Sequence, residues 1–161
     1  MRAVAVILVI LCLAAFVGIA YLYISSGVLV TGTGCIAADA VHQQEYFDSL
    51  KTSLRNETFS GTVFSAEDIG NPDQYQFYSY TVRLKNNTFL NAEAVELTVS
   101  PMNGDILQIG DTEMHTLRAQ TSGDITAMIL TAKGMHNVRE LTVSWYFWGL
   151  PFSVRFPYDG H

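Results

Sequence analysis

The chain opens on an unbroken apolar run, Ala3–Ile24, whose 22 residues contain no charge, amide or proline. As an α-helix rising about 1.5 Å per residue it spans roughly 33 Å, enough to cross a hydrocarbon core of about 30 Å. Residues 1–25 therefore read as an N-terminal transmembrane anchor. The pattern then loosens. Ser25–Gly34 is rich in Gly, Ser and Thr around a short apolar insert, Val28-Leu29-Val30, and residues 26–36 read as a linker. Residues 37–57 predict an amphipathic helix, with Ala40, Phe47, Leu50 and Leu54 close to one stripe. Asp39 and Glu45 lie toward its start and Lys51 and Arg55 in its last turns, as the helix dipole favours.

From Thr58 the period becomes two, which predicts strands. Thr62-Val63-Phe64 makes a short one. Tyr75–Leu84 is a long one, with Tyr78, Tyr80, Val82 and Leu84 on one face and Phe77 out of place among Ser79, Thr81 and Arg83 on the other. Ala94–Ser100 follows, with Val95, Leu97 and Val99 inward, then Asp105–Ile109 beyond the turn Pro101–Gly104. Thr112–Ala119 reads as an edge strand or a loop. Ile125–Thr131, Leu141–Trp148 and Phe152–Phe156 complete the set, the last two joined by a turn at Gly149-Leu150-Pro151. About seven short strands with no room for crossover helices predict a mainly β fold, an antiparallel Ig-like β-sandwich over 58–161 with the 37–57 helix packed on it.

The aromatic residues crowd two of these strands. Alternation sends Trp145 and Phe147 to the core, which leaves Tyr146 and Trp148 on the outer face, with Phe77 as a possible third member. An exposed group of that size marks a contact surface, because rings concentrate binding energy. Three readings compete: the 37–56 helix covers the rings, a protein partner does, or they form a carbohydrate-binding platform.

Charge and flanks set the topology. Arg2 precedes the apolar run and the next basic residue is Lys51, so positive-inside bias puts the N-terminus in the cytoplasm and the rest outside. Tyr21 and Tyr23 sit where amphipathic rings favour the interface. A cleaved signal peptide has a shorter apolar core, about 7–15 residues, and a clearer small-residue cleavage site than SSGVLVTGTG offers. All fifteen acidic residues and eight of the nine basic ones lie beyond residue 26. Such an acidic domain without a basic stripe argues against nucleic acid as a partner.

Cys12 lies inside the run and Cys35 outside it, so the two do not pair and the outer domain rests on its core. Gly32-Thr33-Gly34-Cys35 has small residues before a cysteine but lacks the leucine-like residue of a lipidation box, and a free thiol is the better reading. Asn56-Glu57-Thr58 and Asn86-Asn87-Thr88 are glycosylation triplets.

Catalytic patterns are missing from the sequence. His42, His115, His136 and His161 have no metal-ligand spacing, and there is no G-x-S-x-G, no H-E-x-x-H and no phosphate-binding glycine loop. Asp105, Asp111, Glu113 and Asp124 lack the spacing of a calcium loop and read as a solvated acidic region. No cofactor or metal is expected.

Residues 75–133 resemble the small extracytoplasmic β-sandwich modules of prokaryotic envelope proteins, including the FxLYD-like group. The resemblance rests on Lys85-Asn86-Asn87-Thr88 at a strand end, the strand from Ala94 to Val99, and Gly123-Asp124 leading into a late strand. It implies an accessory or interaction domain without activity of its own. A type IV pilin shares the plan of an apolar helix feeding a β domain, but only Met1-Arg2 precede the run here and no acid lies within it. The expectation is a single-pass membrane protein carrying a non-enzymatic binding or assembly module outside the cytoplasm, with another envelope protein as its candidate partner. The rival is an envelope hydrolase whose site is assembled from distant residues.

Overall fold

The computed structural model describes residues 2–25, 27–65, 68–110 and 115–160. Helix α1, Arg2–Ser25, is the apolar run. Its central window, Val4–Tyr21, has a mean hydropathy of 2.9 and buries none of its residues. Two residues later the chain enters strand β1, Val28–Asp39, and here the structure corrects the sequence reading. Of the stretch read as a linker over 26–36, the residues from Val28 onward form an edge strand, paired antiparallel with β3 (Tyr75–Asn86) from Val28↔Asn86 to Asp39↔Gln76. Its glycines and threonines suffice because an edge strand needs few core side chains. Only Val28 is fully buried, with Val30 and Cys35 partly so.

The helix expected over 37–57 is correspondingly shorter. Ala37–Asp39 belong to β1, Ala40–Gln43 form one 3-10 turn, and α2 runs from Gln44 to Arg55. Strands β2 (Thr62–Val63), β4 (Ala92–Val99), β5 (Asp105–Ile109), β6 (His115–Leu117), β7 (Ser122–Ala132), β8 (Arg139–Phe147) and β9 (Leu150–Tyr158) complete two antiparallel sheets. One has the order β1-β3-β7-β5-β2 and the other β6-β4-β8-β9. The fold is a β-sandwich, with nine strands among the described residues where the sequence suggested about seven. The Thr112–Ala119 ambiguity resolves as a three-residue edge strand, β6.

Alternation explains the core. Tyr78, Tyr80, Val82 and Leu84 of β3 and Ile125, Ala127 and Ile129 of β7 face Leu97, Val99, Leu141, Val143, Trp145 and Phe147 across the sandwich. The odd position of Phe77 has a second cause. It points to the outer face, where Leu107 and Leu130 join it, and α2 covers all three with Phe47 and Leu50. Phe77 is 1% exposed, and its ring lies 5.7 Å from that of Tyr46. The amphipathic helix thus covers the part of one sheet's outer face that carries Phe77, Leu107 and Leu130.

Two edge devices finish the sandwich. On its edge away from β8, β4 has only its short pairing with β6, and beyond that the buried side-chain amide of Gln108 in β5 stands in for a strand. Its Nε2 donates to Leu97 O at 3.1 Å, and its Oε1 accepts the Val99 N–H at 2.9 Å. On β9, Pro151 and Pro157 occupy alternate positions whose N–H groups would point away from β8, since the Phe147↔Leu150 pair closes the hairpin. Prolines there blunt a free edge without breaking the ladder.

Strand directions fix what lies near α1. β1 starts, β3 ends and β7 starts at one end of the sandwich (Val28, Asn86, Ser122). β4 also starts there and β8 ends there, because Ala92 pairs with Leu117 and Glu93 with Tyr146. The loops 87–91 and 118–121 and the β8–β9 turn therefore gather at the end from which α1 leaves.

Candidate functional site

Of the three aromatic residues expected to form a patch, the structure brings two together. Phe77 lies beneath α2 on the β1–β3–β7 sheet, so it takes no part in a surface group. Tyr146 lies on β8 of the other sheet and Trp148 in the turn that follows it, and they are 42% and 74% exposed. The reading in which the helix covers the rings thus holds for Phe77 alone.

Trp148 occupies a conspicuous position. It and Gly149 form the two-residue turn of the β8–β9 hairpin, with φ of 51° and 77°. Two left-handed residues in succession define a turn whose twist suits a hairpin and which favours Asn, Asp or Gly, not a bulky ring. Trp148→Asn is therefore expected to raise the unfolding free energy by about 1 kcal/mol. Urea unfolding read by circular dichroism checks this, and an unchanged or lower midpoint would rule out strain at the turn.

Phe89, which the sequence reading missed, is equally exposed at 74% and lies in the 87–91 loop at the same end. A single ring in NNTFLN offers no periodicity to notice. The loop that carries it is tightly bonded. Asn86 is fully buried, and its Oδ1 accepts from the Thr88 N–H at 3.0 Å and the Thr88 hydroxyl at 2.7 Å. Its Nδ2 donates to Leu90 O at 2.7 Å, Leu117 O at 3.1 Å and Arg118 O at 3.2 Å. Gln120 Nε2 reaches Asn87 O and Thr88 O, and the Asn87 N–H donates to Gly27 O at 2.7 Å. Gly27 is required by this approach, because a Cβ there would overlap the Thr88 methyl group. The geometry also disposes of one glycosylation triplet: the amide nitrogen of Asn86 is enclosed by three carbonyls. Asn56, just past α2, remains exposed.

The acidic region expected around Asp105 and Asp124 separates into unrelated ion pairs. Asp105 is buried at the end away from the anchor, where its carboxylate meets Arg139 Nη2 at 2.7 Å and Nε at 3.1 Å, tying β5 to β8 across the sandwich. Asp124 pairs with Arg83 at 2.8 Å on the surface, and that guanidinium holds its carboxyl below the usual range. Asp111 and Glu113 lie outside the described residues. Among the described residues no three His, Cys, Asp or Glu side chains lie close enough together to hold a metal ion.

The histidines are dispersed. His42 and His136 are exposed, and His161 lies outside the described residues. His115 borders a recess of about 80 Å³ whose walls include Leu84, Val95, Leu117 and Ile125, a mostly apolar lining. Cys35 is a free, half-buried thiol facing Tyr80. Burial pushes its pKa up, against the smaller opposing effects of the Tyr80 hydroxyl and Arg139. Cleavage before Cys35, as lipidation requires, would remove Val28–Gly34 and with them most of the pairing of β1 that begins at Asn86.

No family model matches the chain, and no curated protein matches its sequence. The FxLYD-like resemblance therefore rests on strand pattern alone. Among solved structures, the chain is similar to the GAE domain of yeast GGA1, with a TM-score of 0.38 and 8% identity over 62% of this chain and 97% of that one. It is also similar to a FixG-related protein from Vibrio parahaemolyticus, with a TM-score of 0.36 and 12% identity over 83% and 96% of the respective chains. Likeness at this level supports no functional transfer. What the chain's own geometry establishes is a two-sheet antiparallel β-sandwich behind an apolar helix, with two aromatic side chains held outward at the end where the two join.

Proposed function

We propose that the chain is a single-pass membrane protein, with its N-terminus in the cytoplasm, that holds a non-catalytic Ig-like binding or assembly module against the outer face of the cell membrane. The observation that carries this reading is α1 itself. Its window Val4–Tyr21 is long and apolar enough to span a bilayer and buries nothing against the sandwich, so its hydrophobic surface needs lipid. Arg2 supplies the inward charge, and the exposed rings supply an apolar contact surface on the domain.

Alkaline extraction of membranes tests the anchor. The full chain should stay in the pellet, and a variant lacking residues 1–25 should be released. A mature protein that begins near Gly27 and is recovered in the soluble fraction would make α1 a cleaved signal sequence. A reporter fused after His161 should be active only outside the cytoplasm, and activity inside would reverse the topology.

A further inference from the structure

We propose that the anchor-side rim of the sandwich, with Trp148 and Phe89 at its tips, inserts into the interfacial zone of the same bilayer that α1 enters. The inference rests on the anchor reading above and adds a second, non-covalent contact that sets how the domain stands on the membrane.

The first argument is reach. Only Ser26 and Gly27 separate α1 from β1, and a fully extended residue covers about 3.3–3.6 Å, so Val28 starts within roughly 10 Å of the helix end. The headgroup layer on each side of the hydrocarbon core is about 5–8 Å thick. The end of the sandwich bearing Val28 is thus held at the membrane surface whatever tilt the helix adopts.

The second argument is presentation. The loop carrying Phe89 is hydrogen-bonded to Gly27, the residue next to β1 on the anchor side, through the Asn87 N–H. Thr88 is buried, and the Asn86 and Gln120 side chains fasten both flanks, so the Phe89 ring is directed outward by a fixed backbone. Trp148 projects from a two-residue turn whose left-handed backbone leaves it little freedom. Both rings are 74% exposed, and Phe and Trp at the headgroup level are well solvated by their apolar faces.

The third argument is charge. The chain as a whole carries a net charge of −6, yet the loops 87–91 and 118–121 and the turn 148–149 contain no acidic residue and include Arg118. Tips without carboxylates, with the exposed Glu93 set back on β4 opposite Tyr146, limit the repulsion from anionic headgroups that an evenly acidic surface would suffer. A protein partner has no comparable claim on this end, because the tether keeps the bilayer there permanently.

The chain has two tryptophans, and Trp145 is 1% exposed within the core, so Trp148 can be observed by difference. The full chain is reconstituted into phosphatidylcholine vesicles with a minor share of phosphatidylglycerol, with and without acyl-chain-brominated phosphatidylcholine. In the floated vesicles, bromine should lower the emission lost in Trp148→Asn by roughly twofold or more, as expected for a ring about 5–10 Å into the interface. The residual Trp145 emission of Trp148→Asn should be unaffected. Phe89→Trp in the Trp148→Asn background should regain the quenching. A chain that floats while its Trp148 emission ignores bromine and is freely quenched by acrylamide overturns the rim contact. So does emission protected from both quenchers, which would place a protein surface or a second copy over the ring. A chain that does not float overturns the anchor reading itself.

Discussion

Arg139→Met is expected to lower the unfolding free energy by about 3–5 kcal/mol, the cost of leaving a buried charge without its partner. Arg139 and Asp105 are both fully enclosed, and the pair closes the end of the sandwich away from the anchor. Nη1 of the arginine also donates to His136 O at 2.6 Å and Val138 O at 2.7 Å, while Asp105 Oδ2 accepts the Met102 N–H at 2.8 Å. Methionine keeps much of the side-chain volume and removes every one of these donors. Asp105 is then left with a single backbone N–H. The double variant Asp105→Leu, Arg139→Met should recover part of the loss, because no bare charge remains, but His136 O and Val138 O stay unpaired. Urea unfolding of the full chain in detergent measures both. A single variant within 1 kcal/mol of the parent would show that water enters this end of the fold.

The second large effect is expected at Asn86. Its amide donates to three carbonyls and accepts twice from Thr88. Asn86→Asp turns a carboxylate oxygen toward those carbonyls with nothing to donate, at a cost of about 3–5 kcal/mol. Asn86→Ala removes the same bonds without adding charge and should cost less, about 2–3 kcal/mol. The pH dependence separates the two variants. Burial beside carbonyl oxygens raises the pKa of the introduced carboxyl in the folded state above its unfolded value. The folded state then binds more protons, so the aspartate variant gains stability as pH falls toward its unfolded value, while the alanine variant does not follow it. Equal losses for the two at neutral pH would mean that the loop rearranges around the charge.

Much of the architecture was legible because burial on one face imposes alternation. β3, β7 and β8 each show it; Phe77, read as part of the surface group, belongs instead to a second apolar layer beneath α2. β1 escaped because an edge strand backed by a neighbour on one side needs hydrogen bonds more than apolar side chains. Its Gly32, Gly34 and threonines therefore look like a linker. In β4 a bulge between Glu93 and Glu96, with Ala94 at φ 47°, resets the alternation so that Ala92 and Val95 both face inward. Asp105 and Arg139 escaped because burial of an ion pair depends on a partner 34 residues away, which no local pattern records. The surface group was half legible. Parity found Tyr146 and Trp148, whereas the exposure of Phe89 follows from hydrogen bonds made by Asn86 and Gln120.

The direct junction of α1 to β1 also decides how the domain carries a load. With α1 held in a bilayer as proposed, a pull on the far end of the sandwich, opposed at Val28, acts along β1 and at right angles to the hydrogen bonds that join it to β3. The rungs from Val28↔Asn86 to Asp39↔Gln76 are then strained together, in shear, and do not open one after another like a zip. A strand that resembled slack in the sequence is the part of the fold through which tension reaches the bilayer.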